Sequence, residues 1–249
     1  MRSSVSGPAS VKERAPMEKD WARRKIFRAF QAKEKLIYLI TDGSLSDEEL
    51  IGKIDLACQA GAGLVQVRDK DRFDEEILDL VQKVKEITDF YQVPLLVDDR
   101  VEVAKAAGCG VHLGLEDMEI WAARKLLGPD ILIGATAKSI DRALAAEEEG
   151  ADYLGSGAVY PTQTHVITKI TPVDRIRKIA DSVKIPVYAL GGLTKDNLKI
   201  LENSHISGIC AVSSLIRAED TGKAVRDLRE AFDQVETFPN MGTFFNANR

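Results

Sequence analysis

The chain has 249 residues, of which 45% are hydrophobic and 29% are charged, so it is long and apolar enough to form one large globular domain. Its formal net charge of -5 excludes a broad basic surface for nucleic acid or anionic membranes, so any anion site must be a local concentration of positive groups. No apolar run approaches the roughly 18 residues that a membrane span needs.

The first 33 residues are predicted to form an N-terminal extension. Residues 1–16 are rich in serine, proline and charge without periodicity, which predicts disorder. Residues 17–33 place apolar side chains at near-helical spacing, which predicts a helix that packs on the end of the main domain. A tag or a partner-docking segment is the alternative. The apolar side chains are Trp21, Ile26, Phe27 and Phe30.

From residue 34 to residue 236, short apolar runs alternate with amphipathic helical stretches. The eight runs are 36–41, 64–68, 94–97, 110–113, 131–134, 152–155, 185–190 and 208–213, and the helical stretches include 47–60, 74–90, 139–149, 195–203 and 219–234. Eight such units predict an α/β protein with a (β/α)8 TIM barrel. An open doubly wound sheet is the alternative, but no Gly-x-Gly-x-x-Gly follows the first run. Residues 237–249 are predicted to be a tail that forms a loop or covers an edge.

The three cysteines, Cys58, Cys109 and Cys210, lie far apart in apolar stretches, which predicts small core residues and neither a metal site nor a nucleophile. Their odd number and an N-terminal segment without a signal-like apolar run predict a cytoplasmic protein, with an organelle as the alternative. The sequence leaves the formation of a homo-oligomer open.

Polar residues at a spacing of two run from the second predicted strand into the loop that follows it. Gln66, Arg68 and Lys70 share one face, whereas Val65 and Val67 face the surrounding helices. Because active sites of such barrels gather at the carboxyl ends of the strands, these side chains are expected to line the mouth. Two cations there fit a bound phosphate or pyrophosphate. The alternative is that they pair with carboxylates later in the chain, namely Asp98, Asp99 or Glu102.

Carboxylates follow the third and fourth predicted strands, at Asp98, Asp99 and Asp117. Hard oxygen ligands from two adjacent loops suit Mg²⁺, which needs one or two carboxylates besides substrate phosphate. The alternative is that these residues cap the helices predicted to start near Arg100 and near Asp117. His112 lies inside the fourth strand, which predicts a packed core histidine.

Small and hydroxyl-bearing residues follow strands six, seven and eight, where such barrels usually bind phosphate. They are found in the loop 155–164, in Gly191-Gly192 and in Ser213-Ser214. A turn alone could also require the paired glycines. The residues therefore predict two anion sites and a metal at one mouth. No Ser/His/Asp set, cysteine nucleophile or zinc-type spacing competes with this interpretation.

The order and spacing of these segments resemble thiamine phosphate synthase, over about residues 36–215. The matching segments are Val65-Gln66-Val67-Arg68-Asp69-Lys70, Asp98-Asp99-Arg100, His112-Leu113-Gly114-Leu115-Glu116-Asp117, Gly150-Ala151-Asp152-Tyr153-Leu154-Gly155, Tyr160-Pro161-Thr162-Gln163-Thr164, Gly191-Gly192-Leu193 and Val212-Ser213-Ser214. Enzymes of that family join a hydroxymethylpyrimidine diphosphate to a thiazole phosphate carboxylate, releasing pyrophosphate. The resemblance thus implies small phosphorylated substrates, while the net charge argues against nucleic acid or a membrane as a partner.

The resemblance also implies a role for each matched position. Gln66, Arg68 and Lys70 would hold the pyrimidine and its diphosphate, and Asp99 and Asp117 would ligate Mg²⁺. Thr136 stands where the family usually has a serine near the pyrophosphate. The residues that would hold the thiazole phosphate are Thr162, Thr164, Gly192, Val212 and Ser213. Catalysis would rest on Lys70, Thr136 and His165, and the reaction would be largely dissociative.

Two substrate-binding positions depart from the family's usual residues. Asp98 stands where the family usually has asparagine, and His165 stands where a lysine normally follows the Thr-x-Thr pair. Lys169 is the nearest replacement for that lysine. The alternatives are a thiazole tautomerase on the same barrel, which uses a loop histidine for proton transfer, and a catalytically silent ligand-binding barrel.

Overall fold

The computed structural model describes residues 18–162 and 169–238. Within these ranges, eight parallel strands close into a barrel in chain order, and β8 pairs with β1. The strands are β1 (Leu36–Ile40), β2 (Leu64–Val67), β3 (Leu95–Asp98), β4 (Gly110–Leu113), β5 (Ile133–Thr136), β6 (Tyr153–Gly157), β7 (Val187–Leu190) and β8 (Gly208–Ala211). The predicted (β/α)8 barrel is confirmed.

In the described residues, six α-helices lie between successive strands, one precedes the first strand and two follow the last. They are α1 (Trp21–Gln31), α2 (Asp47–Gln59), α3 (Asp74–Tyr91), α4 (Val101–Ala107), α5 (Ile120–Leu127), α6 (Ile140–Glu148), α7 (Val173–Ser182), α8 (Ser213–Ile216) and α9 (Thr221–Asp233). Local sequence fixes several of their starts. The Ser46 hydroxyl accepts a hydrogen bond from the Glu49 amide, and the Glu49 side chain accepts one from the Ser46 amide, so α2 begins with a capping box.

Alternate side chains along the strands pack into two separate cores, one inside the barrel and one between the strands and the helices. In β1, Leu36, Tyr38 and Ile40 point into the barrel, whereas Ile37 and Leu39 pack against the helices. Because both faces of a parallel strand are buried, each strand reads as a continuous apolar run, and the face of each residue follows from its parity. The same parity places polar residues near the strand ends inside the mouth.

Helix α1 closes the amino-terminal end of the barrel. Ile26 and Ala29 are buried together with Leu36 in the interior core, and the Arg23 guanidinium lies 2.6 Å from the Asp152 carboxylate. The helix predicted within 17–33 is therefore confirmed over Trp21–Gln31 and packs on the barrel end as expected. The predicted disorder of 1–16 and most of the predicted tail lie outside the described residues.

The helix predicted over 195–203 is wrong, because the segment holds only a 3-10 helix, Leu198–Leu201. The Asn197 side chain accepts a hydrogen bond from the Thr194 amide and donates one to the Gly192 carbonyl. The Thr194 amide and the Gly192 carbonyl are therefore already hydrogen-bonded to a side chain near the point where an α-helix would begin. Strands β5 and β6 also extend two residues beyond their predicted ends.

The three cysteines are buried and unpaired, as predicted for core residues. In the part of the chain that the structure describes, none of the helices combines the length and the apolar character needed to cross a membrane.

Candidate active site

A cavity of about 410 Å³ lies at the carboxyl ends of the strands. Every predicted site residue that the structure describes lines this cavity: Gln66, Arg68, Lys70, Asp98, Asp99, Asp117, Thr136, Thr162, Gly192, Val212 and Ser213. The two other predicted residues, Thr164 and His165, lie outside the described residues, as does the position of Gln163. The ends of seven strands, β2 to β8, thus bring together residues that the sequence separates by more than a hundred positions.

Arg68 and Lys70 form a cationic wall of the cavity at the end of β2, and hydrogen bonds from the end of β1 hold the backbone of this wall in place. The buried Thr41 hydroxyl accepts a hydrogen bond from the Arg68 amide (2.8 Å) and lies 2.9 Å from the Arg68 carbonyl, to which it donates. The Thr41 amide donates to the Gln66 carbonyl. Gln66 is 2% exposed, and its side-chain nitrogen has no hydrogen-bond partner among the described residues. This buried donor faces a cavity in which it can meet an acceptor on a ligand.

The cations on this wall pair with carboxylates from β3. Arg68 Nε lies 3.1 Å from Asp98 Oδ2, Lys70 Nζ lies 3.3 Å from the same oxygen, and Lys70 also contacts Asp99. The predicted ion-pair alternative is therefore met at Asp98 and Asp99, whereas Glu102 lies exposed on α4. These ion pairs do not prevent anion binding, because the Lys70 side chain is half exposed and can turn towards a ligand.

The ionisation of these groups follows from burial and pairing. Burial, together with the charge of Asp99, raises the pKa of Asp98 to about 6, although Lys70 and Arg68 act to lower it. Burial lowers the pKa of Lys70, but the hydrogen bond from Lys70 to Asp99 and the charge of Asp98 outweigh it and hold this pKa above its ordinary value. The wall thus combines permanent positive charge with a carboxylate that is costly to ionise.

Asp99 and Asp117 form a carboxylate pair across neighbouring loops. Burial raises the pKa of Asp117, and its hydrogen bond with Asp99 raises it further. Burial also acts to raise the pKa of Asp99, but hydrogen bonds from Asp117 and Lys70 outweigh it and lower this pKa. Two carboxyl groups this close share a proton when no cation separates them.

The helix-cap alternative for these aspartates is wrong. The residues at the N-cap positions of α4 and α5 are Arg100 and Glu119, and neither helix has a side-chain capping hydrogen bond. Asp117 instead accepts a hydrogen bond of 2.6 Å from the Gly114 amide, which holds its carboxylate at the mouth. Within residues 18–162 and 169–238, no group of three or more His, Cys, Asp or Glu side chains is arranged to hold a metal ion.

Arg100 holds the loop that carries Lys70. Its guanidinium donates to the carbonyl oxygens of Asp69 (3.2 Å) and Arg72 (2.7 Å) and also contacts Asp74. A planar guanidinium with several donors can bind three points of one loop at once. The sequence indicated Arg100 only as part of a motif, and its positioning contacts depend on the fold.

His112 occupies the inner face of β4, between the core and the cavity. Its Nδ1 lies 3.0 Å from the Tyr153 hydroxyl and its Nε2 lies 3.1 Å from the Thr136 hydroxyl. Burial lowers the pKa of His112 to about 4, so the ring is neutral at physiological pH. The prediction of a packed core histidine holds only in part, because the side chain is partly buried, borders the cavity and contacts a predicted catalytic residue.

Glycines shape the opposite wall of the cavity. Gly191 and Gly192 have φ values of 99° and 65°, and a Cβ on Gly192 would lie 2.6 Å from the Tyr160 Cβ. The turn and the close approach of the β6 loop therefore both require glycine. Val212 and Ser213, at the start of α8, face the same side of the cavity.

Comparison with known proteins agrees with this geometry. The family model described as thiamine monophosphate synthase matches residues 37–215, which span the barrel from β1 to α8. The chain belongs to the thiamine monophosphate synthase family. Its predicted membership is therefore confirmed, and the matched range contains every predicted site residue.

Individual members of this family align over most of the chain. Thiamine-phosphate synthase 2 of Streptococcus pneumoniae serotype 4 is 43% identical over 186 residues, which cover 74% of this chain and 89% of that protein. Thiamine-phosphate synthase of Pyrococcus furiosus is 39% identical over 200 residues, covering 80% and 95%. A solved structure of thiamine phosphate pyrophosphorylase from Pyrococcus furiosus has a TM-score of 0.70 at 36% identity, covering 85% of this chain and 98% of that one.

The aspartate at position 98 predicts a measurable effect on anion binding. Asp98→Asn removes a negative charge beside Arg68 and Lys70, so the protein should bind inorganic pyrophosphate about fivefold tighter or more, given the strength of charge interactions near a protein surface. Calorimetric titration at constant ionic strength measures this. Asp71→Asn, an equal change of net charge in an exposed loop, should have a much smaller effect. Weaker binding by Asp98→Asn would mean that Asp98 chiefly orients the two cations.

Proposed function

We propose that the mouth of this barrel joins a hydroxymethylpyrimidine diphosphate to a thiazole phosphate carboxylate, forming thiamine phosphate and releasing pyrophosphate, with the carboxyl group lost as carbon dioxide. The main observation in support is that one cavity contains both predicted anion sites, with Arg68 and Lys70 on one wall and Gly192 and Ser213 on the other. Two phosphorylated substrates can therefore meet in one space, as a transfer between them requires.

Gln66 supports the placement of the pyrimidine at the base of the cationic wall. Its buried side-chain nitrogen has no partner among the described residues, and leaving such a donor unpaired is costly. A pyrimidine ring nitrogen is an acceptor that would satisfy it. With the ring held at Gln66, the attached diphosphate would extend towards Arg68 and Lys70, two and four residues further along the chain.

The carboxylate pair fits a divalent cation. Asp99 and Asp117 offer only hard oxygen donors, and each acts on the pKa of the other, as neighbouring carboxyl groups do. Mg²⁺ is commonly bound by one or two carboxylates plus substrate phosphate. Asp99 and Asp117 would hold the ion. When bound, it would neutralise charge on the departing pyrophosphate.

The chain's own residues would then do three things. Arg68 and Lys70 would exchange their contacts with Asp98 for contacts with the diphosphate, so that positive charge meets the charge that develops on the leaving group. The Thr136 hydroxyl would donate to an oxygen of the same group. The thiazole phosphate, held by Thr162, Gly192, Val212 and Ser213, would present its ring nitrogen to the pyrimidine methylene carbon. Little proton transfer is required, in agreement with a neutral His112.

The test is release of pyrophosphate with both substrates present, with Mg²⁺ and with Mg²⁺ removed by a chelator. We expect stoichiometric formation of pyrophosphate and thiamine phosphate, dependent on both substrates and on the metal. Omitting either substrate supplies the control for simple hydrolysis of the diphosphate.

Two other outcomes would replace this function. Conversion of a thiazole phosphate tautomer without metal or pyrimidine would establish the tautomerase alternative. Binding of both phosphorylated compounds by the folded protein, without turnover under any of these conditions, would establish a silent binding barrel.

A further inference from the structure

Three hydrogen bonds connect the floor of the cavity to the middle of the barrel. The Thr136 hydroxyl lies 3.1 Å from His112 Nε2, and His112 Nδ1 lies 3.0 Å from the Tyr153 hydroxyl. The Tyr153 hydroxyl lies 2.8 Å from the Tyr38 hydroxyl. Tyr38 also borders the cavity, but both tyrosines are at most 1% exposed, so the inner end of this series of hydrogen bonds has almost no contact with water. We call Tyr38, Tyr153 and His112 the tyrosine–histidine relay.

The surrounding strands are shaped to hold this relay. A Cβ on Gly134 would overlap the Tyr153 hydroxyl, and a Cβ on Gly155 would lie 3.2 Å from His112 Cε1. Glycine within a strand is unfavourable unless another group must approach closely, and here the two rings do so. Tyr38 packs edge-on against Tyr153 with ring centroids 5.9 Å apart, which leaves the rings little freedom to turn away.

The direction of the hydrogen bonds follows from counting protons. A neutral imidazole has one N–H, so the relay can donate either outward, towards Thr136, or inward, towards Tyr38. Donation inward would leave the Tyr38 proton in the apolar interior, where the described residues offer its hydroxyl no partner other than Tyr153. Donation outward gives every proton of the relay an acceptor, because the Tyr153 phenol then donates to the unprotonated Nδ1 of His112 and Tyr38 donates to Tyr153.

Outward donation decides what Thr136 can do. His112 Nε2–H donates to the Thr136 oxygen, so the threonine's own proton is free to point elsewhere. Thr136 is half-buried and lines the cavity, whereas its partner His112 occupies the inner side. The threonine is thereby preset as a hydrogen-bond donor towards an anion in the mouth.

We propose that the tyrosine–histidine relay positions Thr136, fixing its hydroxyl as a donor to the departing pyrophosphate. The inference rests on the proposed function for the identity of the anion, but the preset direction of the hydroxyl does not. Tyr38, Tyr153 and His112 are positioning residues, and Thr136 is the residue that touches the substrate.

A double-mutant cycle tests whether the relay acts through Thr136. Tyr153→Phe removes one hydroxyl and keeps the ring, and it should lower kcat about fivefold to tenfold, the range expected for one hydrogen bond, with little change in the KM for thiazole phosphate. In a Thr136→Val background the same substitution should change kcat by less than about twofold. Equal effects of Tyr153→Phe in both backgrounds would overturn the proposal.

The structure offers a matched control in the same cluster. The buried Tyr188 hydroxyl has no hydrogen-bond partner among the described residues, and its ring centroid lies 5.2 Å from that of Tyr153. Tyr188→Phe therefore removes a comparable buried hydroxyl without touching the relay, and kcat should stay within about twofold of the unmodified enzyme. If Tyr188→Phe and Tyr153→Phe lower kcat alike, the effect comes from packing and the proposal fails.

A measurement without substrate separates the relay from the proposed function. In protein with nitrogen-15 labelled histidine, the His112 resonances should show a protonated Nε2 and a bare Nδ1, and Tyr153→Phe should weaken this preference. The sequence has three histidines, so His112→Gln identifies the signal. A protonated Nδ1 would overturn the inference. If the tautomer is as expected but no pyrophosphate is released from the substrates, only the proposed function fails.

Discussion

Asp99→Ala and Asp117→Ala are each expected to lower the rate of pyrophosphate release about 100-fold or more while the barrel still folds. The loss follows because a bound divalent cation contributes several kcal/mol to stabilising the leaving charge, and these two carboxylates are proposed to hold it. Folding should be preserved, because burial and mutual hydrogen bonding already make it costly to ionise both groups. Activity is measured over a range of Mg²⁺ concentrations, and folding by circular dichroism and melting temperature.

Glu116→Ala is the matched control for this pair. Glu116 is a neighbouring carboxylate in the same loop as Asp117, but it is exposed and does not line the cavity. Its removal should leave the Mg²⁺ dependence unchanged. If Asp99→Ala and Asp117→Ala both keep near-normal Mg²⁺-dependent rates, the pair is not the metal site and its hydrogen bond serves only to order the mouth.

The barrel and most of the candidate site could be predicted because successive side chains of a strand point to opposite faces, so the position of one residue fixes the face of its neighbours. Once Val65 and Val67 are assigned to the helix-facing layer, Gln66 and Arg68 must face inward, and the structure places them there. Every predicted site residue within 18–162 and 169–238 lines one cavity for the same reason. Chain order fixes which strand ends meet once the barrel closes.

The contacts among those residues depended on distances that a sequence does not contain. Asp98 and Asp99 could equally have capped α4, and only the fold shows that they face Arg68 and Lys70 instead. His112 was assigned to the core on its position in a strand. Its second ring nitrogen reaches Thr136 because β4 and β5 pair with His112 beside Gly134, which leaves Thr136 two residues closer to the mouth on the same face.

Arg68→Ala is expected to weaken the binding of the pyrimidine diphosphate by about 2–4 kcal/mol, as for a charge-assisted contact in a partly desolvated site. Arg68 is 12% exposed and lies 3.1 Å from Asp98, so its charge already acts within a largely buried wall. Affinity for thiazole phosphate should scarcely change, because Gly192 and Ser213 lie on the opposite side of the cavity. Calorimetric titration with each ligand separately measures both affinities.

Part of the loss in Arg68→Ala comes from leaving the Asp98 carboxylate short of a partner beside an incoming anion. The double variant with Asp98→Asn isolates this part, and it should recover some of the lost affinity while remaining weaker than Asp98→Asn alone. Arg226→Ala, at an exposed arginine of α9 outside the cavity, is the control for the change in net charge and should leave both affinities unchanged. Equal weakening of both ligands by Arg68→Ala would show that the two anion sites are wrongly assigned, because a residue confined to the diphosphate wall cannot act on both.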